Sequence, residues 1–150
     1  MTMNTPDNNP TKLAPNKTST LLYIVLLLIP LLINLALHPV WLAANTGTMI
    51  LTIATLSEML LNCFVSPIYL ALITGYYAIK KHKSFSFGII FSIPVVYGSI
   101  YEHYWNWGSV TGMTNNPDWG TGMIMLVCAL VSSIVLAVGM IIVGIKWSRS

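Results

Sequence analysis

The sequence predicts an all-α integral membrane protein, a four-helix transmembrane bundle with both termini cytoplasmic. Three observations lead there. Of the 150 residues, 55% are hydrophobic and only 7% are charged, with a mean hydropathy of +0.74. Soluble domains carry about 25% charged residues, so a chain this poor in charge cannot cover a globular surface. The apolar residues form stretches long enough to cross a hydrocarbon core of ~30 Å, which takes about 20 helical residues. The seven Lys and Arg fall in small clusters flanking those stretches. Such placement is a topology signal, and it argues against nucleic acid as a partner despite a net charge of +3 and a pI near 9.0.

Residues 1–19, MTMNTPDNNPTKLAPNKTS, are polar and rich in Pro and Asn, and are expected to form a disordered cytoplasmic tail before a membrane domain over 20–150. A cytoplasmic Asn16-Lys17-Thr18 is not a usable glycosylation site. The first span is expected over 21–42. A signal peptide is the competing reading, because Leu42-Ala43-Ala44 resembles a cleavage site. Its apolar region would far exceed the usual length of about 7–15 residues. Pro30 lacks an N–H, so it should kink this helix and free the carbonyl of Leu26.

The next apolar region, 49–79, is too long for one ordinary span. Tyr76, Tyr77 and Lys80 suit an interfacial anchor at its inner end. Counting back about 20 residues from Tyr77 puts the other boundary at Ser57 or Glu58. The span is therefore set at 57–79, bent by Pro67. The remaining 47–56, GTMILTIATL, is either an apolar piece at the outer surface or the extension of a tilted helix. Only KKHK separates this span from the third, 84–103, which contains Pro94, so the two should form a tight antiparallel hairpin. The fourth span, 121–145, ends at Lys146, Trp147 and Arg149. Before it lies 108–122, GSVTGMTNNPDWGTG, a loop of turn formers suited to binding a partner.

Charge sets the orientation. Lys12 and Lys17 precede span one; Lys80, Lys81 and Lys83 follow span two; Lys146 and Arg149 follow span four. The other two loops hold no Lys or Arg and carry Glu102 and Asp118. The positive-inside rule makes the basic side the cytoplasm and the membrane the plasma membrane.

Polar residues within the spans fall on helical stripes: Asn34 and His38; Glu58, Asn62, Ser66 and Tyr69; Gly88, Ser92, Ser99 and His103; Ala129, Ser133 and Ala137. Polar groups in lipid face a neighbouring helix or a cavity. At 1.5 Å per residue, His38, Glu58 and His103 reach a similar depth near the outer end. With Asn62 and Glu102 they define a candidate outer vestibule. Simpler roles compete with this one. Thr55-x-x-Glu58 fits a capping box. Tyr97, Tyr101, Tyr104, Trp105, Trp107 and Trp119 suit an aromatic belt, and the Ser and Asn side chains can serve to join helices.

Two histidines with carboxylates are also the donor set of a divalent metal, and His38 with His103 that of a b-type haem. No H-E-x-x-H, P-loop, G-x-S-x-G or dinucleotide turn accompanies them, so no cofactor and no catalytic residue is expected. Cys63 and Cys128 lie in apolar segments without a C-x-x-C spacing and are read as packing residues. The expected role is therefore a non-enzymatic accessory, scaffold or protective protein of the bilayer. It would bind another membrane protein, or a copy of itself, through its spans and outer loop. The alternatives are binding or transport of a cation or polar solute, and a haem-carrying redox protein.

Overall fold

The computed structural model describes residues 17–43, 56–57, 59–111 and 119–149, with side chains at 17, 38–43, 103–111, 119–122 and 124 outside that description. The chain forms α1 (Lys17–Ala43), a π-helical turn (Leu61–Val65), α2 (Ser66–Lys80), α3 (Phe85–Thr111) and α4 (Trp119–Ser148). No strand occurs among the described residues. Four helical segments are long and apolar enough to cross a membrane: Thr18–Leu37, Leu61–Lys80, Phe85–Glu102 and Met125–Ser148. Their number is the one the sequence predicts.

Helix ends differ in two places. α1 begins at Lys17, inside the stretch assigned to the tail, and residues 1–16 lie outside the described residues. α3 runs on to Thr111 and α4 starts at Trp119, so helix replaces much of the expected 108–122 loop. The aromatic run after Tyr101 contains no Pro, and the strong turn formers Asn115-Asn116-Pro117 come only later. The alternatives for 47–56 fall almost wholly on residues outside the description.

α1 packs chiefly against α3, and α2 chiefly against α4, with further contact of α3 on both α2 and α4. Each chief pair runs in parallel. Ala71 meets Gly139 and Gly75 meets Val143, a constant offset along both chains. The expected hairpin of α2 and α3 is present, but its contact is less extensive than that within the parallel pairs. Buried faces follow helical periods: Tyr23, Leu27, Pro30 and Asn34 on α1, and Cys128, Ser132, Leu136 and Met140 on α4.

The α4 face is one position away from the expected stripe, since Ala137 is exposed. Ser132 and Ser133 are adjacent and chemically identical, and each has a partner on another helix: Ser132 bonds Asn62 O and Ser133 bonds Tyr97 on α3. Close approach through small residues occurs instead between α2 and α4. A Cβ on Gly139 would lie 2.8 Å from that of Ala71, and one on Gly75 3.0 Å from Val143 Cγ1.

Several contacts fix the basic end of the bundle. Lys83 Nζ donates to Thr20 Oγ1 at 2.7 Å, and Phe85 stacks on Trp147 at 5.6 Å. The start of α1, the turn between α2 and α3 and the end of α4 therefore lie together. Tyr77 is buried and stacks on Tyr23 at 4.3 Å, so of the expected anchor pair only Tyr76 is exposed. His82, at φ 49, turns the chain through the left-handed region, which His tolerates better than most residues. Lys81 and Lys83 then both donate backbone N–H to the Tyr77 carbonyl, at 3.2 and 3.0 Å.

The carbonyl freed by Pro30 finds a donor on another helix. Tyr69 Oη donates to Leu26 O at 3.0 Å, tying α2 to α1 at the point where the intrahelical bond is missing. Tyr69→Phe should leave that carbonyl without a donor. The expected loss is about 1 kcal/mol of stability, the scale of interhelical hydrogen bonds in membranes. Unfolding in mixed micelles measures it, and an unchanged midpoint would contradict the role assigned to Tyr69.

Candidate functional site

The most developed polar site lies where the second span departs from α-helical geometry. Pro67, near the start of α2, has no N–H to continue the helical ladder. The chain before it widens into the π turn, in which Ser66 N–H donates to Leu61 O five residues back. In that register Asn62 O faces residue 67, the proline. Ser132 Oγ on α4 supplies the missing donor at 3.1 Å, sharing its proton with Cys128 O at 2.6 Å.

The Asn62 side chain ties the same turn to α1. Asn34 Nδ2 donates to Asn62 Oδ1 at 2.9 Å, and Asn62 Nδ2 donates back to Asn34 Oδ1 at 3.1 Å. The second Asn34 N–H goes to Pro30 O at 2.9 Å. Both residues are shut from solvent, at 0% and 2% exposure. A buried amide without partners is costly in hydrocarbon, and the reciprocal pair removes that cost for both residues. One residue, Asn62, therefore joins α1 through its side chain and α4 through its backbone.

Among the described residues, Tyr23 Oη, Ser66 Oγ, Thr74 Oγ1 and Ser99 Oγ are buried without a hydrogen-bond partner, whereas two further serines are bonded. Ser92 Oγ donates to Gly88 O at 2.7 Å and Ser133 Oγ to Ala129 O at 2.6 Å. With its proton thus placed, Ser133 accepts from Tyr97 Oη at 2.8 Å, linking α3 to α4. Cys63 and Cys128 are buried free thiols, as expected of packing residues, and Cys63 Sγ lies 3.9 Å from Cys128 O.

Among the candidate vestibule residues, Asn62 points into the bundle and is paired with Asn34. Glu102 is half-buried at the end of the third membrane segment. His38 and His103 lie on α1 and α3, with side chains outside the description, and Glu58 is outside it altogether. Among the described residues no three of His, Cys, Asp and Glu gather to hold a metal. The polar stripes in the sequence include Asn34 and Asn62 without revealing their pairing, and Ser132 lies one position off the stripe of Ala129, Ser133 and Ala137. The signal for Ser132 was its place on the same face as Cys128.

Neutral amides and hydroxyls placed in this way set helix register. Fold and site together define a bundle of helices long and apolar enough to cross a membrane, with hydrogen bonds between Asn34, Asn62 and Ser132 inside it. Comparisons with protein-family models, curated proteins and solved structures found no match.

Proposed function

We propose that the chain is a small non-enzymatic component of the plasma membrane, of accessory, scaffold or protective type. It binds another membrane protein, or a second copy, through its spans and outer loop. The observation that carries this reading is the mutual bonding of Asn34, Asn62 and Ser132 across three helices. A carrier needs in-membrane polar groups that can exchange partners with a solute. Here Asn34, Asn62 and Ser132 are committed to bonds between helices. Such locks suit a preformed, rigid surface, which loses little entropy on binding.

The proposed orientation places both termini in the cytoplasm. The gathering of Lys80, Lys81, Lys83, Lys146 and Arg149 at one end of the bundle supports it through the positive-inside rule.

Affinity purification of the C-terminally tagged protein from mild detergent tests the reading. A stoichiometric membrane partner or a stable homo-oligomer is expected. A solitary monomer that catalyses solute flux in proteoliposomes contradicts it. In the same preparation before lysis, a cysteine at Asn115 should react with a membrane-impermeant reagent added outside, and protection there reverses the orientation.

A further inference from the structure

We infer that the groove between α2 and α4 binds one anionic phospholipid, with an acyl chain in the groove and the phosphate on Lys146 and Arg149. The groove encloses about 440 Å³ between Ile68, Ala71 and Leu72 on α2 and Val138, Ile142 and Val143 on α4. It lies on the outside of the bundle, since Leu72 is 64% and Ile142 61% exposed. Its lining is almost wholly apolar, so within a bilayer its natural occupant is hydrocarbon.

Charge at one end of the groove makes that occupant specific. Val135, Val138, Ile142, Lys146 and Arg149 follow i, i+3, i+7, i+11 and i+14, so the groove wall on α4 continues directly into two cations. Lys146 stands three residues beyond Val143, about 4.5 Å along the axis. Arg149, held to the last turn by its N–H bond to Lys146 O at 3.3 Å, follows on the same side. Both side chains are exposed. On α2 the wall of Ile68 and Leu72 continues to the exposed Tyr76, whose phenol suits the headgroup level.

Glu102 is the one carboxylate side chain among the described residues. It lies about 25 Å along α3 from the basic end, too far to neutralise these cations. A guanidinium and an ammonium at the mouth of an apolar channel match a phosphate attached to an acyl chain. This inference rests on the membrane-spanning bundle and is independent of the proposed partner.

Native mass spectrometry of the full chain in detergent tests it, with dioleoyl phosphatidylglycerol and dioleoyl phosphatidylcholine titrated separately. Phosphatidylglycerol should bind roughly tenfold more tightly, because the choline charge offsets its own phosphate. Lys146→Gln with Arg149→Gln should weaken phosphatidylglycerol about thirty-fold, at ~1 kcal/mol per cation. Lys80→Gln with Lys81→Gln removes equal charge from the same end. Lys80 lies about 80° round α2 from Leu72, and this control should change affinity by about twofold or less. Leu72→Trp fills the groove, keeps every cation and should also weaken binding.

Equal affinity for the two lipids overturns the inference. So do equal losses in the two charge variants, or full binding by Leu72→Trp. A dimer that excludes lipid would assign the groove to a second copy and overturn it as well. All substituted positions are exposed, so none removes a core contact.

Discussion

Gly88→Ala should destabilise the bundle by about 2 kcal/mol, although alanine is the better helix former by about 1 kcal/mol. The reason is crowding at one point where three helices meet. A Cβ on Gly88 would run into Tyr23 Oη from α1 and into both Thr74 γ atoms from α2. Neither neighbour can retreat. The Tyr23 ring is held between Tyr77, at 4.3 Å, and Phe87, at 5.7 Å. Thr74 is fully buried, and a threonine has two γ substituents for three staggered positions. Every rotamer therefore leaves a γ atom in at least one of the two positions that now face Gly88.

Gly98, ten residues further along α3, provides the control. Its added Cβ would meet only Leu31 Cδ1, at 3.5 Å, an ordinary contact. Gly98→Ala should therefore be neutral or stabilising by up to about 1 kcal/mol. Unfolding both variants in mixed micelles separates steric crowding from helix propensity, and equal effects would contradict the crowding at Gly88.

The second large effect concerns the paired asparagines. Asn34→Leu should cost about 2 kcal/mol by leaving the Asn62 amide buried and unpaired at both ends. Asn62→Leu should cost less, because Asn34 keeps its bond to Pro30 O. The backbone carbonyl of residue 62 would keep Ser132 as donor in either variant. The order of the two losses is thus set by which orphaned amide retains a partner. The reverse order would show that Asn34 Nδ2 relies on Asn62 more than on Pro30.

Much of this was legible in the sequence because lipid imposes few, strong requirements. Span number followed from length and hydropathy. The freed Leu26 carbonyl followed from Pro30, and Tyr69, which satisfies it, already stood on the polar stripe of the second span. Asn34 and Asn62 stood out as amides in apolar runs.

What remained hidden has a common physical cause. In a bilayer both faces of a helix are apolar, so Tyr23 and Leu27, deep in the interior, look no different from the exposed Leu22 and Val25. The part played by Ser132 turned on a carbonyl that Pro67 leaves free on another helix, which no local pattern encodes. The α2–α4 groove arises from two parallel helices brought together by Gly75 and Gly139, and chain order alone does not reveal that these helices are neighbours. The extension of α3 past His103 was obscured because an aromatic collar and a continuing helix share a composition.

The central claim is that polar residues within the spans lock helices to one another. A double-mutant cycle on Asn34→Leu and Asn62→Leu, read as unfolding free energy in micelles, tests it most directly. If the amides serve each other, the double variant costs no more than the worse single one, with a coupling of about 1–2 kcal/mol. If the two losses simply add, the asparagines act independently, and their place in the membrane needs a ligand rather than a lock to explain it.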